Sequence, residues 1–275
     1  MSYLPLASLY LAATILIVDA VYRGSLALRA RLVAAAAERE AANISYLLGL
    51  LPPLAGLLSA TAFSLAIPAL AMTGFLVAGE GLPDVLLGAG VALCCAALAV
   101  APLLAQGWVV LRPAPAAEMK ARSVVLALVG LDLLLSATFE EVVFRGQLLQ
   151  VLRNGIGDAA AVAVSAGVFG AVHIWKRRDA PPIWAINTAL FGILAGLLVL
   201  MTGGIAASIT LHFVWNMVQT PLLGLPANGS SYEHGLLVAE LRGPHLFTGG
   251  SWSLDAGLAS TFALLVAAAG LALLG

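Results

Sequence analysis

A chain of 275 residues that is 61% hydrophobic and only 10% charged, with a mean hydropathy of +1.02, cannot take water as its main solvent, since soluble domains carry about 25% charged residues. Its net charge of −1 and pI near 6.4 supply neither a basic field nor an acidic tail, which excludes nucleic acid as a partner. The only cysteines, Cys94 and Cys95, are adjacent in an apolar run, where they neither bridge comfortably nor offer zinc-ligand spacing, and they read as small core residues.

A hydrocarbon core about 30 Å thick takes roughly 20 apolar residues per helix, so the sequence predicts an all-α, polytopic transmembrane helix bundle of about eight spans. These fall near residues 3–22, 44–78, 83–111, 123–152, 158–175, 183–201, 204–220 and 254–274. The N-terminus turns apolar at once, without a basic stretch or a small-residue cleavage site, so its first run is expected to remain as a span. Residues 23–43 mix arginine, glutamate and alanine and read as a cytoplasmic or interfacial helix. The run 44–78 is long enough for two crossings and holds Pro52, Pro53 and Pro68.

Charge decides between one crossing and two. Arg23, Arg29, Arg31 and Arg39 follow the first span, Arg112, Lys120 and Arg122 the third, and Lys176, Arg177 and Arg178 the fifth. The positive-inside rule puts these alternate connections in the cytoplasm only if 44–78 crosses once, which sets the N-terminus outside. Trp108, Trp175, Trp184 and Trp252 fall near span ends and read as interfacial anchors. Gly203, Gly204, Gly249 and Gly250 read as turn residues. The connection 221–253, with His234 and His245 as ordinary loop residues, is glycine-rich and is expected to re-enter the membrane in part. The chain divides into N-terminal helices over 1–122, with the linker 23–43, and a helical core over 123–275, integrated as one domain. No internal repeat is present. The dominance of alanine, leucine and glycine fits a GC-rich bacterial genome, and the inner membrane as the setting.

An ionised side chain at the centre of a membrane helix costs roughly 2.5–3.5 kcal/mol and defaults to a functional role. The fourth span concentrates such groups: Glu140, Glu141 and Arg145 in EEVVFR, with Asp132 and Ser136 leading up to Glu140 at helical spacing. The fifth carries Phe169 and His173, and the seventh His212 and Asn216. Glu141 and Arg145, four apart in the favourable order, can neutralise each other, which leaves Glu140 without a partner on its own helix. His212 and Asn216, also four apart, point the same way. Counted at 1.5 Å per residue from the face shared by the fourth and sixth connections, Glu140 lies roughly 20 Å deep, His173 roughly 22 Å, and Asn216 and His212 roughly 18 and 12 Å. The four can therefore share one layer, and the closeness of His173 to Lys176 sets that layer toward the cytoplasm. Asp132 reads as facing a water-filled cavity or bonding a neighbouring helix, and Asp19 as snorkelling at an interface; neither is assigned to catalysis.

A partly desolvated carboxylate beside an imidazole can take a proton from water, which fits Glu140 with His173. A second histidine and an amide can hydrogen-bond a developing oxyanion, which fits His212 and Asn216. No serine or cysteine is placed as a nucleophile, which disfavours a covalent route. Two histidines with one or two glutamates also make a ligand set for a divalent ion such as zinc, yet there is no HExxH arrangement and asparagine is a poor zinc ligand. Metal-free hydrolysis without a cofactor is preferred, with a metal-dependent membrane protease as the alternative.

These residues resemble the CPBP intramembrane proteases, a family that includes the type II CAAX prenyl endopeptidases and the bacterial Abi-like proteins. Glu140, Glu141 and Arg145 in EEVVFRG look like its EExxxR motif, Phe169 and His173 in FGAVH like FxxxH, and His212 and Asn216 in HFVWN like HxxxN/D. The order agrees as well, and the stretch 225–257 is similar to the tail of many bacterial members. The resemblance implies a membrane-embedded endopeptidase in which Glu140 and His173 activate water and His212 and Asn216 stabilise the oxyanion, with Glu141, Arg145 and Phe169 in support. It implies a peptide or protein substrate at the lipid bilayer. A prenylated CAAX peptide is the eukaryotic substrate, and nothing in this chain carries that over. Two other functions compete: a non-catalytic bacteriocin-immunity or scaffold protein, and a proton-coupled carrier. The lack of inverted repeats and the grouping of all three motifs in one half of the chain weigh against the carrier.

Overall fold

Proline and glycine punctuate an otherwise apolar chain, and the helix ends fall on them. In a computed structural model of the protein, residues 12–14, 16–17, 19–21, 23–28, 47–66, 81–232 and 234–274 are described. Helix α1 covers Leu51–Ala66. Helix α2, Leu82–Ala105, opens with Pro83, whose missing N–H costs nothing there, and with Asp84 in its first turn at the positive end of the helix dipole. A strand β1, Val109–Pro113, leads to α3, Met119–Glu141. A π-helical segment, Val142–Leu148, then continues without a break into α4, Leu149–Ile156. Helices α5, Asp158–Lys176, α6, Pro182–Thr202, and α7, Ala206–Met217, follow, and α7 runs on into a second π segment, Val218–Leu222. Strand β2, Leu237–Leu241, a single turn α8, His245–Thr248, and α9, Leu258–Leu274, complete the order.

The result is an all-α polytopic bundle. Among the described residues four helical runs are long and apolar enough to cross a membrane: Leu82–Ala105, Arg122–Ile156, Asp158–Trp175 and Pro182–Thr202. Leu47–Ser59 and Leu258–Leu274 are shorter apolar helices. Much of the expected first span, most of the linker 23–43 and residues 44–46 and 67–78 of the expected second span lie outside the described residues. The Arg122–Ile156 run has 35 residues, about 52 Å of helix against a core of about 30 Å, so it must tilt or emerge from the bilayer.

Close approach of backbones shapes the packing. Helix α5 lies antiparallel to α6, and a Cβ on Gly192 or Gly196 would press on Ala166 or Val162. Helix α2 packs on α7 and α9. The buried centre combines small and branched side chains, among them Ala92, Cys95, Ala99, Leu194, Leu198, Leu211 and Ala263.

One face of the bundle carries a cap. The third expected span, 83–111, stops at Ala105, because Gly107 takes φ +66° and the β-branched pair Val109–Val110 starts a strand instead. That strand pairs antiparallel with β2, Val109 opposite Leu241, so the connection 221–253 reaches back to the end of α2. Arg122 Nη1 donates to the Gly235 carbonyl at 2.9 Å and Arg177 Nη2 to the Asn228 carbonyl at 2.8 Å. Asn187 Nδ2 donates to the carbonyls of Asp255 and Gly257 at 2.6 and 3.0 Å, while its Oδ1 accepts from Thr261 Oγ1 at 2.7 Å. Gly203 and Gly249 both take φ +77° and turn the chain as expected.

Candidate functional site

The π segment starts at Val142, directly after the glutamate pair. Its wider turn leaves the Phe144 carbonyl accepting both the Leu149 N–H and Ser165 Oγ, the latter at 3.1 Å, which fastens this part of the helix to α5. Such single-turn insertions concentrate at functional sites. Here the segment directs Glu140, Glu141 and Arg145 inward together.

Glu140, His173 and His212 meet. His173 Nε2 lies 3.7 Å from Glu140 Oε2 and His212 Nε2 lies 3.9 Å from the same oxygen. Both separations exceed a direct hydrogen bond, so a water can touch these atoms only by sitting to one side of them rather than on the line between them. The Glu140 and His173 side chains are 20% and 22% exposed, so the pair is not sealed inside the protein.

The partners of the Nδ1 atoms fix the tautomers. His173 Nδ1 sits 2.8 Å from the Phe169 carbonyl, which can only accept, so Nδ1 carries the proton and the Nε2 lone pair faces Glu140. His212 Nδ1 sits 2.9 Å from Glu141 Oε1, and the same logic places its proton there. The neutral site thus turns three acceptors toward one point. A donor must stand among them, either a water hydrogen or an imidazolium N–H.

Glu141 does more than neutralise Arg145. The pair forms as expected, with Arg145 Nη1 3.1 Å from Glu141 Oε1 and both side chains fully enclosed, but the same oxygen also accepts from His212. The isolated pair read from spacing is therefore a triad linking two helices. Arg145 also lies over the Phe169 ring, 4.3 Å from its centroid, which spreads its charge onto a π face. Phe169 in turn contacts His173 edge to face with centroids 4.4 Å apart, so its supporting place is structural and close. Asn216 is half-buried one turn beyond His212 and makes no hydrogen bond to the described residues.

Several residues at the site escaped the sequence reading. Trp184, expected as an interfacial anchor, is buried beside His173, centroids 5.7 Å apart, and stacks on to Trp252 at 5.8 Å. Its place in the first turn of α6 looks interfacial in a linear count, but the cap covers it. Trp252 itself lies under the Arg177 guanidinium at 4.7 Å. Trp108 contacts Phe247 in the cap, while Trp175 stays exposed as an anchor would. Phe191 packs on His212 with centroids 5.0 Å apart; one phenylalanine in an apolar helix carries no signal of that. Asp255 accepts from Trp215 Nε1 at 3.0 Å and from Gln219 Nε2 at 3.4 Å, tying the cap to α7. A carboxylate between glycine-rich turns and an apolar run was the available hint. At the rim, paired hydrogen bonds from Arg177 hold the Asp179 carboxyl below the usual range.

Among the described residues no group of three or more His, Cys, Asp and Glu side chains is set to hold a metal ion. Residues 122–218, a little over a third of the chain, match the family described as type II CAAX prenyl endopeptidase Rce1-like. That stretch holds all three motifs. The match supports a relationship of this stretch to the type II CAAX prenyl endopeptidases. The motif resemblance and the family match agree. At family level the match supports a CAAX-type intramembrane protease, a membrane-embedded hydrolase with a membrane-associated substrate. No curated protein matches the sequence.

Proposed function

We propose that this Rce1-like protein hydrolyses a peptide bond by a metal-free route in which Glu140 activates water. The observation that carries the reading is the approach of two Nε2 atoms to one Glu140 oxygen at 3.7 and 3.9 Å, with both Nδ1 protons committed elsewhere. A water beside that gap can donate one hydrogen to Glu140 Oε2 and the other to His173 Nε2, leaving an oxygen lone pair for the scissile carbonyl carbon.

The steps balance without a cofactor. Glu140 takes a proton as the water oxygen bonds to the carbonyl carbon. The carbonyl oxygen becomes an oxyanion, which receives hydrogen bonds from Asn216 and from His212 as its imidazolium. Glu141 lies against His212 Nδ1 and supports that cation. Glu140 then returns its proton to the leaving nitrogen, the C–N bond breaks, and the new carboxylic acid passes the remaining water proton to the amine, giving a carboxylate and an ammonium. His173 lies within one turn of the α5 end at the capped face, which is the cytoplasmic face in this reading.

The test is cleavage of a quenched fluorescent peptide library by the detergent-purified protein, with and without chelator. Glu140→Gln and His173→Ala are each expected to lower turnover by about 10²–10⁴-fold, the usual contribution of a positioned acid–base group, with the fold intact and chelator without effect. Full activity in both variants would overturn the mechanism, and loss on chelation would replace it with a metal-dependent one.

A further inference from the structure

Asp132 is the carboxylate that the mechanism does not use. It lies on α3, eight residues before Glu140, with Ser136 midway, and all three are half-buried. At 3.6 residues per turn they fall within an arc of about 80° on one helix. Helix α1 packs on one side of that arc, where Gly56 lies beneath the Phe139 ring, and α7 packs on the other, where Met217 Sδ stands over Gly130. The arc therefore lies between the sides on which α1 and α7 pack, and Asp132 stands on it about two turns nearer the capped face than Glu140.

Every other described carboxylate but one has a partner: Asp19 has Arg23, Glu118 has Arg122, Asp158 has Arg153, Asp179 has Arg177, Glu240 has Arg242, and Asp255 has Trp215 and Gln219. Asp84 is the exception, at the positive end of a helix. Asp132 makes no hydrogen bond or ion pair with a described residue, and it stands in mid-helix, where no dipole end compensates it. A carboxylate so placed in a membrane helix calls for a cation.

We propose that Asp132 determines specificity by pairing with a basic side chain of the substrate. The eight-residue offset is about 12 Å along the helix, or three to four residues of extended peptide at roughly 3.3 Å each. The favoured substrate then carries lysine or arginine three or four residues from the scissile bond, on the side toward the capped face. The inference rests on the endopeptidase reading above.

The experiment is a positional scan of the quenched peptides with lysine, norleucine and glutamate at each position, read as ratios of kcat/KM in wild type, Asp132→Asn and Asp132→Lys. In wild type, lysine is expected to exceed norleucine by roughly tenfold at one position three or four residues from the cut, a difference of about 1.4 kcal/mol. In Asp132→Asn that ratio is expected to fall to near one, and in Asp132→Lys glutamate is expected to become the preferred residue there. An unchanged ratio in both variants, or no basic preference in wild type, overturns the inference while Glu140-dependent cleavage leaves the catalytic reading standing. Cleavage that is absent, or indifferent to Glu140→Gln, overturns both.

Discussion

Glu141 and Arg145 enclose two opposite charges beyond the reach of water, and their cost is met only while each keeps its partners. Removing one partner from a buried ion pair leaves an unpaired charge and typically costs about 3–5 kcal/mol, whereas replacing both by apolar groups is often near neutral. Glu141→Leu is accordingly expected to lose about that much stability on chemical unfolding in detergent, and the double change Glu141→Leu with Arg145→Met to recover most of it. If Glu141 also holds the His212 tautomer, the double variant regains stability without regaining turnover. Recovery of both would reduce Glu141 to a structural counter-ion. The spacing of Glu141 and Arg145 was enough to read their pairing from sequence, because an i,i+4 contact is local. The bond from His212, 71 residues away, was not legible. Neither was the aromatic enclosure by Trp184 and Phe191, since both depend on how α5, α6 and α7 lie against one another.

The helices of this bundle are legible in sequence where apolar runs end on proline or glycine, as α6 does at Pro182 and Gly203. They are not legible where hydropathy continues past a change of backbone. Residues 109–111 are as apolar as the helix before them, yet they pair with β2, and only that distant strand makes them β. The two π segments are likewise invisible to a count of apolar residues. Packing between helices turns on a few positions without a side chain. A Cβ at Gly88 would overlap the Ala207 carbonyl of α7, whereas a Cβ at Gly90 meets nothing within 4 Å. Gly90→Ala is expected to be neutral or stabilising by up to about 1 kcal/mol from helix propensity alone. Gly88→Ala, two residues away and on the opposite side of the same helix, is expected to destabilise by about 1–3 kcal/mol, the usual cost of overpacking. Equal melting temperatures for the two variants would mean that α2 and α7 can separate without penalty.

At the scale of the molecule, the cap and the charges define one face. The ribbon, Arg122 on Gly235 and Arg177 on Asn228 join the cap to the end of α2, the start of α3 and the end of α5. That face carries Arg112, Arg122, Arg177, Arg178 and Arg242, while the turn between α4 and α5 on the opposite face offers Arg153 beside Asp158. By the positive-inside rule such an asymmetry is expected to set the arginine-rich face in the cytoplasm, and we propose that orientation here. His173 lies within one turn of the α5 end at the same face, so orientation and substrate access are one question. Cysteine accessibility answers it in a background where Cys94 and Cys95 are alanine. Arg178→Cys, exposed beside the cap, is expected to react with a membrane-impermeant maleimide only in inverted vesicles, and Asn154→Cys, exposed on the opposite turn, only in right-side-out spheroplasts. The reverse pattern would place Glu140 and Asp132 before substrates arriving from outside, where a basic residue near the cut would have to come from a secreted or surface peptide rather than a cytoplasmic one.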